Sequence, residues 1–177
     1  MLTRLLGRGA ERSEAASYPD VAAGHWAASS IEIMKETGIM EGYDDGEFKP
    51  EQPISRGEFA AVILRFIGRS SELGPASFVY PDIADHWARD LIQQLNDLGI
   101  MIGEEGMFYP SRNLTRAEAV TAINRAIGRG ELEGGFEPSW PDVPESHWAY
   151  GHVEEASRTH EYTRVSEALE RWIRFLD

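Results

Sequence analysis

A mainly α-helical fold, built from three tandem helix–loop–helix repeats, is what this sequence predicts, and three observations predict it. The tripeptide His-Trp-Ala recurs at His25-Trp26-Ala27, His86-Trp87-Ala88 and His147-Trp148-Ala149, a constant interval of 61 residues. Each copy follows an aromatic-Pro-Asp-aliphatic tetrad: Tyr18-Pro19-Asp20-Val21, Tyr80-Pro81-Asp82-Ile83 and Trp140-Pro141-Asp142-Val143. Ser55-Arg56-Gly57-Glu58 and Thr115-Arg116-Ala117-Glu118 then open two amphipathic runs in equivalent places. Seven matched positions repeated three times in 177 residues exceed composition noise, and a period of this length marks a repeat architecture. The units span 18–68, 80–128 and 140–176 after an N-terminal extension, 1–17. The Gly-, Ser-, Glu- and Pro-rich segments 69–79 and 129–139 are expected to be solvated connectors.

Within unit one, Ala27, Ile31 and Met34 share the spacing of one helix face, and Gly38 supplies a left-handed stop. Unit two repeats the pattern with Ala88, Leu91, Leu95 and Leu98 before Gly99. A loop follows in each, with a tight turn predicted at Asp45-Gly46 and at Glu105-Gly106, and room for very short strands. The second helices start on a capping box: the Ser55 or Thr115 hydroxyl accepts an amide proton three residues on, and Glu58 or Glu118 reaches back. Ile54 and Phe59 fit a hydrophobic staple. Apolar positions 59, 62, 63, 66 and 67, and again 119, 122, 123, 126 and 127, mark the buried face up to Gly68 and Gly128. Units this small cannot bury these faces alone, so one cooperative body is expected.

Unit three departs from the pattern. Sixteen residues separate Trp148 from Arg164, against 30 from Trp26 to Arg56 and 29 from Trp87 to Arg116, so the Gly-x-Phe-x-Pro loop is missing. Val165, Ala168, Leu169, Trp172, Ile173 and Leu176 read as a final amphipathic helix, which offers a surface for a protein partner.

Composition excludes several functions. Thirty acidic against 17 basic residues give a formal charge of −13, and without a Lys/Arg run nucleic acid is not a partner. No cysteine is present for disulfides or thiolate metal sites, and no apolar stretch approaches the ~18 residues that span a bilayer. Arg4 and Arg8 break the short apolar N-terminal patch, which does not read as a secretory leader. Phosphate loops, Gly-x-Ser-x-Gly and His-Glu-x-x-His are absent, so an enzyme is the losing hypothesis and no cofactor is implied. The three histidines lack carboxylates at ligand spacing, and Tyr43-Asp44-Asp45-Gly46-Glu47 lacks the distal Glu of a calcium loop, so no metal is assigned.

The succession Pro-Asp-aliphatic, His-Trp-Ala, Gly-Ile-Met-x-Gly, Gly-x-Phe-x-Pro and Leu114-Thr115-Arg116-Ala117-Glu118 resembles the S-layer homology family over nearly all of 18–176, with a degenerate third unit. The resemblance implies one pseudo-threefold, mainly helical body at the bacterial cell surface. The resemblance implies further that grooves between repeats bind secondary cell wall polymer, often carrying a pyruvylated amino sugar. It also implies that the motif arginine helps to hold the anionic ligand, which carries over to Arg56 and Arg116. At Arg164 the carry-over stops, because Ser166 stands where the motif has Glu.

Independently of any family, a cation at the first helical position opposes the helix dipole at about 0.3–1 kcal/mol, so something must offset Arg56 and Arg116. A ligand carboxylate received bidentately is one candidate, an acid of the neighbouring repeat is another, and the two are compatible. Trp26, Trp87 and Trp148 suit sugar stacking, although an aromatic repeated in every unit is more often a core anchor. Asp20 and Asp82 suit sugar hydroxyls or, equally, a cap or turn. Tyr43, beside Gly42, is the loop aromatic best placed for a ligand. The expected function is non-covalent anchoring to a wall glycan. A protein-docking module without glycan binding and a glycan-processing enzyme are the alternatives.

Overall fold

The computed structural model describes residues 2–7, 17–68 and 80–176; the connector 69–79 lies outside them. Short helix α1 (Leu2–Leu5) belongs to the N-terminal extension. Unit one contributes α2 (Ala28–Glu36) and α3 (Arg56–Phe66), and unit two contributes α4 (Arg89–Asp97) and α5 (Arg116–Ala126). Unit three contributes α6 (Tyr150–Ser157) and two strands. Packing joins consecutive units, α3 lying against α4 and α5, and α5 against α6. The main core sits at the first junction, where Ile63, Ile83, Ile92, Leu95 and Phe108 are all fully buried.

Both capping boxes form as expected, and the repeated motifs acquire physical reasons. In His-Trp-Ala, the His Nδ1 accepts the N–H of the Ala two residues on, at 3.2, 3.1 and 3.1 Å in the three units. Ala88 and Ala149 are fully buried. The Trp between cap and core is therefore turned outward: Trp26, Trp87 and Trp148 are 89, 65 and 61 % exposed. The core-anchor role expected of these tryptophans is wrong, because the imidazole and the small Ala do the anchoring and their neighbour cannot share their side.

The aromatic-Pro-Asp tetrad clamps the loop some 26–29 residues downstream. Asp20 accepts the N–H groups of Phe48 and Lys49, and Asp82 those of Phe108 and Tyr109. These bonds hold Lys49 and Tyr109 at φ 56° and 57°, a left-handed conformation that a residue preceding proline does not adopt unaided. The Tyr80 hydroxyl donates to Asn96 and accepts from the Gly103 N–H at 2.9 Å. Gly42 and Gly103 lie so close to the Tyr18 and Tyr80 rings that an added Cβ would stand 2.7 and 2.5 Å from them. A second repeated device appears in units one and three: Ser17 and Ser139 each give backbone N–H and hydroxyl to one carboxylate, Glu32 and Glu154. Unit two carries Gln93 at that place.

Unit three corrects two expectations. The predicted C-terminal helix is a β-hairpin, β2 (His160–Ser166) antiparallel to β3 (Leu169–Phe175), so no C-terminal helix exists to receive a protein partner. Tyr162, Thr163, Val165, Trp172, Ile173 and Phe175 favour a pleated strand, and the Glu of a capping box is missing. Val165, Ile173 and Leu176, assigned to the buried stripe, are 48, 52 and 41 % exposed, whereas Glu170 is fully buried. The segment 129–139 is likewise no solvated connector. It holds β1 (Glu131–Glu133), which pairs parallel with β3 to give the order β1-β3-β2. Leu132 and Phe136 in it are buried, and the Phe136 ring packs on Tyr150, Trp172 and Phe175. An isolated hairpin is marginal in water, and this segment supplies both the third strand and the aromatic centre that it requires.

Gly103→Ala forces a methyl into the Tyr80 ring and is expected to lower stability in urea unfolding by about 1–3 kcal/mol. Gly24→Ala, with nothing within 4 Å of the new Cβ, is expected to change it by less than about 0.5 kcal/mol.

Candidate functional site

Unit one docks on unit two through the start of α3. The Arg56 N–H donates to Arg112 O (2.9 Å), Gly57 N–H to Pro110 O (2.8 Å), and Leu114 N–H to Ile54 O (2.9 Å). The Arg56 side chain runs on into the loop of unit two, its Nε donating to Phe108 O (2.9 Å), one terminal nitrogen to Ile102 O (3.1 Å) and the other to the Glu118 carboxylate. Its cation also lies over the Phe108 ring, 4.5 Å from the centroid. Of the two roles the sequence left open for Arg56, the geometry supplies the neighbouring acid.

Glu118 accepts from Arg56 and from Arg112 at 2.6 Å, as well as from the Thr115 N–H. Burial alone would raise its pKa, but the Thr115 amide and the Arg56 cation hold it below the usual carboxylate range. Over this network opens a cleft of about 470 Å³ at the meeting of all three units. Arg56 comes from unit one; Ile102, Glu104, Arg112, Thr115, Thr121 and Arg125 come from unit two; and Trp148 comes from unit three. Three arginines face two carboxylates there, a local positive excess in a strongly acidic chain. The buried Thr121 hydroxyl points to no hydrogen-bond partner among the described residues.

The residues singled out from sequence do not converge on this cleft. Arg56 lines it but is committed to unit two. Arg116 is exposed, lies outside the lining, and makes no ion pair among the described residues. Asp20 and Asp82 spend their carboxylates on loop amides. Tyr43 donates to Glu58 at 3.0 Å and accepts from Gln52 at 3.2 Å, under the Lys49 cation. Trp26 and Trp87 are exposed, but of the tryptophans in the described residues only Trp148 lines the cleft. Sequence reasoning missed Arg112 and Arg125. The available signal was the difference between units: Gln52 stands where unit two has Arg112, and Arg65, opposite Arg125, pairs with Glu41 at 3.4 Å.

A second polar cluster lies behind unit three. Glu155, His160 and Glu170 converge, all nearly fully buried, and Arg129 bonds both carboxylates. His160 Nε2 faces Glu155 Oε2 at 2.8 Å. Arg164 adds a second cation on Glu170 at 3.2 Å. Two arginine cations thus face the two acids, and the His160 ring closes on Glu155. The cluster therefore reads as a lock tying α6 and the hairpin to the end of α5.

Residues 17–60 and 79–120 match the family model of the S-layer homology domain. The chain carries two S-layer homology domains. Unit three lies beyond the matched stretches. Over 173 residues the chain is 37 % identical to "Cell surface glycoprotein 1" of Acetivibrio thermocellus, covering 92 % of this chain and 7 % of that protein. It is 32 % identical over 184 residues to "Cellulosome-anchoring protein" of the same organism, covering all of this chain and 41 % of that one. Against an "S-layer protein" of Bacillus licheniformis it is 27 % identical over 133 residues, 75 % of this chain and 15 % of that protein. The chain thus spans less than half the length of these relatives. No helix among the described residues is long and apolar enough to cross a membrane.

Two tests follow from these geometries. Arg56→Ala leaves Glu118 with Arg112 as its one ion-pair partner among the described residues and strips the Ile102 and Phe108 carbonyls of their donor, so it is expected to cost about 2–4 kcal/mol in denaturant unfolding, while Arg116→Ala costs less than about 0.5 kcal/mol. The second concerns pH. Burial, with Glu170 adding to it, pushes the Glu155 carboxyl up to about 7, so the folded chain holds a proton that the unfolded chain releases near pH 4.5. That contribution is fully present below pH 4.5 and is lost as pH rises to about 7. Burial, then Arg125, lowers His152 to about 4, which erodes stability as pH falls from 6.5 to 4. In melting curves across pH, Glu155→Gln is expected to flatten the loss toward neutrality and His152→Leu the loss toward acid.

Proposed function

We propose that this chain is a non-covalent, non-enzymatic anchoring module that holds an anionic wall glycan in the cleft where its three units meet. It is a cell-surface module, in keeping with its S-layer homology domains. The observation that carries the finer reading is the cleft itself. Arg112 and Arg125 present fork-shaped donors suited to a carboxylate, the exposed Trp148 face suits a sugar ring, and the partnerless Thr121 hydroxyl suits a sugar hydroxyl. The net charge of −13 does not forbid this, since acids beyond about 8 Å are screened at physiological ionic strength while a contacting guanidinium is not. A ligand carrying a carboxylate, such as a pyruvylated amino sugar of secondary cell wall polymer, fits that set.

Only unit two is equipped for this task. In unit one, Gln52 replaces Arg112, Ala61 replaces Thr121, Tyr43 satisfies Glu58, and Arg65 is engaged by Glu41. One ligand per chain is therefore expected.

Calorimetry with purified wall polymer is the direct test. Arg112→Ala and Arg125→Ala should each weaken binding about tenfold or more, the loss of a charge-assisted hydrogen bond. Trp148→Ala should weaken it clearly, and Arg65→Ala should leave it unchanged. Parent-like binding by folded Arg112→Ala and Arg125→Ala, or a stoichiometry near two, sinks the assignment.

A further inference from the structure

The joint between units one and two has two halves, and each half exists twice in the sequence. The inserting half is a helix start: the N–H groups of Arg56 and Gly57, with the Arg56 guanidinium. The receiving half is a loop: the carbonyls of Ile102, Phe108, Pro110 and Arg112, backed by Glu118. Unit two carries its own inserting half, Thr115-Arg116-Ala117, on an equally capped helix. Unit one carries its own receiving half, the carbonyls of Glu41, Phe48, Pro50 and Gln52 backed by Glu58.

Among the described residues neither spare half is used. Unit three has lost the loop that would receive Arg116, and its second helix has become the hairpin, so it has no helix start to place in unit one's loop. Among the described residues no hydrogen bond reaches the Glu41, Phe48, Pro50 or Gln52 carbonyls, and none leaves the Arg116 guanidinium or the Arg116 and Ala117 N–H groups. The exposed Arg116 cation and the Glu58-backed loop are complementary in charge.

We propose that two copies of this chain join head to tail, the α5 start and Arg116 of one entering the Glu41–Gln52 loop of the next, in the geometry by which unit one already holds unit two. The occupant is a second copy because the receiving loop keeps the parts that Arg56 uses: Phe48 for Phe108, Pro50 for Pro110, Glu58 for Glu118. Several features differ: Tyr43 already donates to Glu58, Lys49 and Gln52 stand where unit two has Tyr109 and Arg112, and a methyl replaces the Gly57 hydrogen. A Cβ at Gly57 would stand 2.9 Å from His86 Cε1 and 3.2 Å from Pro110 O, so the Ala117 methyl requires His25 and Pro50 of the second copy to yield by a few tenths of an ångström. An interface between separate chains can open by that much. The contact joins two different surfaces, so it propagates beyond two copies unless the rotation closes a ring. It lacks the covalent tether of the internal joint and bears the full cost of association, which makes it weak, with half-assembly at roughly tens to hundreds of micromolar.

The chain contains no cysteine, which makes cross-linking decisive. Ala117→Cys and Pro50→Cys place thiols at the positions equivalent to Gly57 and Pro110, which are in backbone contact within the chain. The two variants, mixed at about 200 µM and oxidised mildly without wall polymer, are expected to give several-fold more disulfide dimer than either alone. In sedimentation velocity, the mean mass of the parent chain should rise with concentration, and that of Arg116→Glu should not. Equal cross-linking of the mixture and the separate variants, a parent chain that stays monomeric, or Arg116→Glu that associates like the parent each overturns the proposal. The inference does not rest on the glycan reading, and no arm of the experiment contains the glycan, so either can fail without the other.

Discussion

The Arg56 guanidinium, buried between a helix start and the next unit's loop, is the interaction on which the rest of the structure depends. Taking an arginine out of water is costly, and burial presses its pKa downward even with Glu118 beside it. The chain offsets that cost with two carbonyls, a carboxylate and an aromatic face, and in doing so fixes the loop of unit two against the helix of unit one. Phe108 is fully buried because Arg56 lies over it, and the floor of the cleft is Glu118 because Arg56 holds it there. A cation at the first turn of a helix, which looks like a local error, is resolved one unit away.

The loops owe their shape to a second long-range constraint. Asp20 and Asp82 look like helix caps in sequence, and their carboxylates instead hold amides more than two dozen residues downstream. Nothing local distinguishes an Asp that caps the following turn from one that reaches a distant loop, since both precede a helix by the same few residues. The repeat did carry the clue: unit three lost its loop and kept Asp142, which is exposed, so the aspartate and the loop are partners in the two units that have both.

Capping boxes, glycine stops and the loop turns are legible in the sequence because each rests on local chemistry that a few adjacent residues determine. The outward tryptophans are not legible in the sequence, because their hydrophobic bulk suggests a core position while the capping geometry of the neighbouring imidazole turns them to solvent. The hairpin was misjudged for a different reason. Val165, Leu169, Trp172, Ile173 and Leu176 fit a helical stripe as well as they fit strands, and only the partner segment decides. That segment, 129–139, carries the glycines and prolines of a linker, yet Leu132 and Phe136 supply the strand edge and the aromatic face that draw the hairpin down. Arg112 and Arg125 escape a local reading because each has an ordinary excuse, a polar loop position and a cation in the last turn of a helix, and only comparison between units singles out Arg112.

Unit three shares the entry of the other two units, without their loop, and still packs into one body with them. It has no loop to receive the preceding unit's arginine or to cover Trp140, which is 49 % exposed. What survives is the part that unit two requires: the buried Ala149, the α6 face against α5, and Trp148 at the rim of the cleft. The hairpin replaces the lost helix as ballast, fastened by Arg129 between Glu155 and Glu170. The missing loop that leaves Arg116 without a berth also leaves the cleft open to solvent at the Trp148 rim. In a repeat array a missing loop is thus more than a loss: the docking groups it would have occupied become free surface, and their chemistry, already shaped to grip a neighbour, is left facing outward.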